Sequence, residues 1–153
     1  MNDTYNSDEF LSAVQNEALE TRFTPVPVGD FPAAAVQKTV KVKKVVFPSG
    51  DERAEFEMQW QIDGEVAGMK NPKVRQRFLL DTQGFAANGA PILEAGLNKN
   101  VRLGKLIALS GQDASNWSFA GLELARGRIK VTHRPDKTDP DNVYAEVSAV
   151  APL

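Results

Sequence analysis

Between Glu55 and Asp63 apolar and polar residues alternate without a break: Phe56, Met58, Trp60 and Ile62 interleave with Glu55, Glu57, Gln59, Gln61 and Asp63. A strand sends successive side chains to opposite faces, whereas a helix would scatter this pattern around its circumference. The stretch therefore predicts a half-buried strand with a polar outer face. The same period returns where Val74, Gln76, Phe78 and Leu80 alternate with Lys73, Arg75, Arg77 and Leu79. It returns again from Arg126 to Val150, which reads as a hairpin around the Pro/Asp-rich turn Pro135 to Asn142. In the first arm Ile129, Val131 and His133 oppose Arg128, Lys130, Thr132 and Arg134; in the second, Val143, Ala145, Val147 and Ala149 oppose Tyr144, Glu146 and Ser148. The shared phase predicts that Phe56, Met58, Trp60, Ile62, Val74, Phe78, Leu80, Ile129, Val131 and Val147 point inward.

The remaining segments are read around these strands. Ser7 as cap, Asp8 and Glu9 in the first turn, and Phe10, Leu11, Val14 and Ala18 at helical spacing predict a helix from about Asp8 to Glu20. Pro25, Pro27, Gly29 and Pro32 then predict an irregular connector from Thr24 to Pro32, because proline lacks an amide donor and restricts its predecessor. The β-branched stretch Val36 to Phe47 predicts a first strand with a bulge near Lys43-Lys44, closed by a turn at Pro48 to Asp51. Asp63-Gly64 and Gly68 to Pro72 read as a loop, as does the Gly-, Ala- and Asn-rich run from Thr82 to Gly96. Asn98 is the expected cap of a helix carrying Leu103, Leu106, Ile107 and Ser110 on one face, with Gly111 as its terminator. A short turn or helix follows around Trp117 to Leu122.

The order is strand, strand, strand, helix, strand, strand. It predicts a mainly β protein: a five-stranded Greek-key barrel with a helix between strands 3 and 4, the oligonucleotide/oligosaccharide-binding (OB) architecture, plus an N-terminal helical arm. Two regions are expected: residues 1–32, an acidic helix and Pro-rich connector, and residues 33–153, the OB-like β domain. A chain of 153 residues is long enough for one hydrophobic core. It contains no apolar run able to span a bilayer and no signal-peptide pattern at Met1-Asn-Asp-Thr, so the expectation is a cytoplasmic protein without membrane association. The absence of cysteine excludes disulfides, thiolate chemistry and Cys-ligated metals. Charge is unevenly placed. From Met1 to Gln37 six acids (Asp3, Asp8, Glu9, Glu17, Glu20 and Asp30) face Arg22 alone, while the rest of the chain has 17 Lys and Arg against 14 Asp and Glu.

Catalysis has little to work with. The single histidine, His133, falls on the apolar phase of its strand and reads as a core or barrel-end residue, and no Gly-rich phosphate loop is present. Asp136, Asp139 and Asp141 read as turn residues rather than as a cation loop, so neither metal nor cofactor is expected. The basic strand faces are the candidate site: Lys73, Arg75 and Arg77; Arg128, Lys130 and Arg134; and Lys41 with Lys43. Single-stranded nucleic-acid binders join such cationic grooves to aromatic platforms. Tyr144, outward on the last strand, is the first stacking candidate and Phe47 the second, while Trp60 belongs to the core phase. Two states of these faces stay open. They are free to meet phosphates, or cross-strand pairs neutralise them, Glu55 and Glu57 with Arg75 and Arg77, Glu146 with Lys130.

The succession Val74-Arg-Gln-Arg-Phe-Leu-Leu-Asp81, Gly96-Leu-Asn-Lys-Asn-Val-Arg-Leu-Gly104, Trp117-Ser-Phe, Gly127-Arg-Ile-Lys-Val-Thr-His-Arg134 and Val143-Tyr-Ala-Glu-Val147 resembles small bacteriophage proteins of unknown function. These are related to OB-fold single-stranded DNA-binding proteins. The likeness covers roughly the last half of the chain. It implies non-catalytic binding of single-stranded DNA during phage replication or recombination, in the cytoplasm of an infected bacterium. Further partners would be a second copy of the chain or a phage replication or recombination protein. One departure stands out: the acidic segment is N-terminal, and the chain ends Ala149-Val-Ala-Pro-Leu153 where many such proteins carry an acidic tail. The second class of function the residues allow is a structural or adaptor protein of a phage particle or complex, its β domain an assembly surface.

Overall fold

Alternating apolar residues bury themselves best when strands close on one another, and this chain uses that solution. The computed structural model describes residues 6–19 and 24–153. In chain order its elements are α1 (Ser7–Ser12), β1 (Gly29–Ala35), β2 (Lys41–Val46), β3 (Glu52–Ile62), β4 (Glu65–Val66), β5 (Met69–Lys70), β6 (Lys73–Leu80), β7 (Thr82–Phe85), β8 (Pro91–Leu93), α2 (Val101–Leu109), a 3-10 helix (Ala120–Leu124), β9 (Arg126–Pro135) and β10 (Val143–Ala151). The protein is mainly β, with few helices. Five strands form a ring: β1 pairs with β9, β9 with β10, β10 with β6, β6 with β3, and β3 with β1. Every junction is antiparallel except β10 with β6, which is parallel.

All ten residues assigned inward by their phase are buried, Trp60, Phe56 and Met58 completely. Trp60 satisfies its indole N–H inside the ring by donating to Gln76 Oε1 at 2.8 Å, which explains a glutamine on an otherwise apolar face. Phe56 packs on Phe78 at 4.9 Å between ring centroids. α2 adds Leu103, Leu106 and Ile107 to the same core, and the 3-10 helix adds Leu122. Close packing here depends on Gly127, where a Cβ would stand 2.7 Å from the carbonyl oxygen of Ala151 and 3.0 Å from the Leu109 side chain. Gly111, at φ +77°, follows α2 as expected of a helix terminator.

Several expectations are corrected. The run Thr24 to Pro32 is not wholly irregular: β1 begins at Gly29, so the expected boundary after residue 32 falls inside a strand. Proline is tolerated there because β1 pairs with β3 only from Ala33 onward, so the edge to which the Pro32 nitrogen points requires no donor at that position. The Pro32 carbonyl on that same edge accepts the Asp63 N–H. β1 and β2 lie along one edge of β3, and the interruption between them is at residues 36–40, not at Lys43-Lys44. Lys38 takes φ +64° there, and the Thr39 hydroxyl bridges the Val36 carbonyl and the Gln59 N–H. In β10 the register shifts between Val147 and Ala149, so Val150 is buried and Ala149 is exposed, against the simple alternation.

Two runs expected as loops contain short hairpins, β4 with β5 and β7 with β8. The cap of α2 is Asn100 rather than Asn98. Its side chain does not cap the helix; it accepts from Asp81 N and donates to the carbonyls of Asp81 and Glu94, tying the helix start to the end of β6. α1 is shorter than expected and is capped by Asn6, whose Oδ1 accepts from Glu9 N, rather than by Ser7. The expected helix end at Glu20 lies outside the described residues. No residue of α1 is buried. Among the described residues no helix is long and apolar enough to cross a membrane.

Candidate nucleic-acid interface

Because the inward phase of β3, β6, β9 and β10 is apolar, their polar residues share the outer surface. Register sets them in rows. Lys41, Glu57 and Arg77 cross β2, β3 and β6; Gln59, Arg75, Glu146 and Thr132 cross β3, β6, β10 and β9; Tyr144 stands beside Arg134. The parallel junction brings Arg75 directly opposite Glu146. It thereby gathers Arg75, Arg77 and Arg134 around one carboxylate, at 3.6, 3.7 and 3.6 Å from Glu146.

These distances are ion-pair contacts rather than tight hydrogen bonds. Arg75 also reaches Glu57 at 3.4 Å. The neutralising partners anticipated for this face are thus partly found and partly exchanged. Glu57 pairs with Arg75, Glu55 pairs with Lys43 at 3.5 Å, and Glu146 serves the arginines instead of Lys130. Three guanidinium groups against Glu57 and Glu146 leave the cluster cationic, with most of the arginine N–H donors still unused.

Tyr144 borders this cluster. Its hydroxyl donates to Asp136 Oδ2 at 2.9 Å, which fixes the ring and raises the phenol above its ordinary range. Asp136 is lowered in turn, first by the Thr138 backbone N–H, then by the Thr138 hydroxyl and by Tyr144. The other turn carboxylates are similarly engaged: Asp139 accepts from Asp141 N and from Asn142 Nδ2, as turn residues do. Tyr144 also lines an open cleft of about 640 Å³, together with residues 24–26 and Met69, Pro72, Lys73, Arg75, Val143 and Ala145 among others. His133 is not a core residue. It is exposed, and its Nε2 lies 2.6 Å from the Val26 carbonyl, an acceptor, so Nε2 carries the proton.

The remaining candidates are dispersed. Arg128 and Lys130 project from the far part of β9, beside Ala151 and Ala149 of β10. At about 3.3 Å per residue, Arg128 is some 20 Å along the strand from Arg134. Lys41 and Lys43 stand on β2, across β3 from β6. Phe47 lies in the turn after β2 and lines neither the cleft nor the arginine cluster, and Trp60 is wholly buried. Sequence reading missed Lys44, which pairs with Glu52 at 2.9 Å and sits 4.8 Å over the Phe85 ring; this is a packing contact far from Tyr144 in register. It also missed Val26, buried although it lies among prolines. No protein-family model matches the sequence, and none of the curated proteins matches it.

Proposed function

We propose that the chain is a non-catalytic single-stranded DNA-binding protein of the OB type, acting in bacteriophage replication or recombination. The fold part of this reading is supported by the ring order. Counting β1 with its continuation β2 as the first strand, the succession first, second, third, fifth, fourth and back to first has α2 between the third and fourth, and a parallel junction between third and fifth. OB domains bind oligonucleotides on the face of their second and third strands, flanked by the loops that join strands one to two and four to five. In this chain those would be β3, β6, and the turns at residues 47–51 and 136–142. The observation that carries the functional part is the gathering of Arg75, Arg77 and Arg134 beside the anchored ring of Tyr144. The phage setting rests on the sequence resemblance alone.

A labelled oligo-dT titration at increasing salt tests this reading. Phosphate contacts release counterions, so affinity must fall steeply, with a log-log slope of roughly −0.7 for each contact on a single strand. An oligonucleotide that fails to bind at 50 mM salt would favour the second reading, an adaptor of a phage particle or complex. That reading draws on Glu57 and Glu146, which already occupy part of the arginine cluster, and on the exposed Leu11 and Val14 of the N-terminal segment.

A further inference from the structure

We propose that the cleft beside Tyr144 is a subsite for one unstacked nucleobase, and that its outer wall is the strap of residues 24–26, held in place by His133. This rests on the single-stranded DNA reading above and adds where a base would enter and what shapes the entrance. The cleft and the arginine cluster share Tyr144 and Arg75, so the ring and one guanidinium line both hollows. The cleft walls include Pro25, Val26, Met69, Pro72, Val143 and Ala145 beside the polar Thr24 and Gln59, and among the described residues its charged lining is Lys73 and Arg75, with no carboxylate. Its floor suits a flat apolar ring and its rim suits the phosphates on either side of that ring. Glu146 and Asp136 line the arginine cluster and not the cleft.

Two features preorganise the subsite. The Tyr144 hydroxyl is tied to Asp136, so the ring cannot swing out of the way without losing that bond. The strap is tied at both backbone and side chain: the Val26 carbonyl receives the His133 Nε2–H, and the Val26 side chain is 5% exposed within the core. His133 does not itself line the cleft. It is a positioning residue, acting through Val26.

Fluorescence anisotropy of the full chain with labelled oligo-dT, and with an abasic deoxyribose-phosphate oligomer of equal length, tests the proposal at 50 mM salt. Oligo-dT is expected to bind about fivefold to a hundredfold more tightly than the abasic strand, the range that base stacking on an aromatic provides. Tyr144→Leu, a change at an exposed position, should collapse that ratio towards one. His133→Ala should lower the ratio, and His133→Gln, whose amide can still donate to Val26, should restore it. Equal binding of the two strands by the unaltered protein would overturn the subsite while leaving the DNA-binding reading standing. Binding of neither strand would overturn both. A ratio untouched by His133→Ala, in a protein that keeps its thermal midpoint, would remove the strap from the proposal. Should His133→Ala prove unstable, the His133→Gln comparison and Tyr144→Leu decide the question.

Discussion

The outer faces of β6 and β9 look alike as sequence, each carrying a run of three basic residues at alternate positions, Lys73, Arg75 and Arg77 on one and Arg126, Arg128 and Lys130 on the other, yet they meet different surroundings. Arg75 and Arg77 of β6 stand beside Glu57 and Glu146, next to Tyr144 and a cleft. Arg128 and Lys130 of β9 make no ion pair among the described residues and are flanked in register by Pro32 and Ala151, and by Asp30 and Ala149. The less neutralised pair lines neither the cleft at Tyr144 nor the arginine cluster. Net charge on a strand face therefore does not by itself single out the candidate site. What distinguishes β6 is that neighbouring strands bring it shape, a fixed aromatic and Arg134 as a third guanidinium.

The strongest test of this contrast exchanges the two faces. Replacing Arg75, Arg77 and Arg134 with alanine should weaken oligo-dT binding about tenfold or more at low salt and reduce the salt slope by about 2, whereas Arg128→Ala with Lys130→Ala should change affinity by less than about twofold. Equal losses from both sets would show that charge alone matters. A smaller effect isolates the carboxylate that the β6 face has and the β9 face lacks. Glu146→Gln should cost about 1 to 2 kcal/mol of stability in denaturant at low salt, because three guanidinium groups lose their shared partner at a side chain only 19% exposed. The same change should tighten oligonucleotide binding. A stable variant with unchanged affinity would mean that Glu146 neither holds the cluster together nor competes with ligand.

The smallest effect concerns the anchored ring. The Tyr144 phenol is raised by its bond to Asp136, so the stability this contributes is present below the ordinary tyrosine range near 10 and is lost as pH rises through the folded-state value. Asp136 is lowered, so its contribution is present above its ordinary value of 3.8 and is lost as pH falls through the folded-state value. In a Tyr5→Phe background, where Tyr144 is the remaining tyrosine, phenolate absorbance should titrate above the ordinary range, and Asp136→Asn should bring it down. An unchanged titration in Asp136→Asn would show that the ring is not anchored in solution.

How much of this could be read from the chain differs between inside and outside. The interior was legible because burial on one face of a strand enforces a period of two, and Phe56 to Ile62, Val74 to Leu80, and Ile129 with Val131 obey it. β1 was hidden because Gly29, Pro32 and the small residues Ala33–Ala35 resemble connector composition, although pairing on both edges holds them as a strand. The register shift after Val147 was equally silent, since an extra residue leaves no compositional mark. At the site, the residue types were visible but their company was not. Nothing in local spacing links Arg75 to Glu146 or Arg134; the parallel junction does, across distant parts of the chain. The strap was missed for a similar reason, because its partner His133 arrives from the far end of the sequence.

That parallel junction has a mechanical meaning. It holds a single registered pair, Arg75 with Glu146, roughly seventy residues apart in the chain, while each antiparallel neighbour is a longer zipper. Parallel pairing is the weaker kind per residue, and contacts between distant residues close late in folding. This shortest junction of the ring runs between the arginines of β6 and Tyr144 of β10. Breathing at this point would pull the two halves of the cluster apart. On the DNA-binding reading proposed above, a bound strand bridging them would act as a clasp, so occupancy and ring closure would reinforce each other through the same few residues.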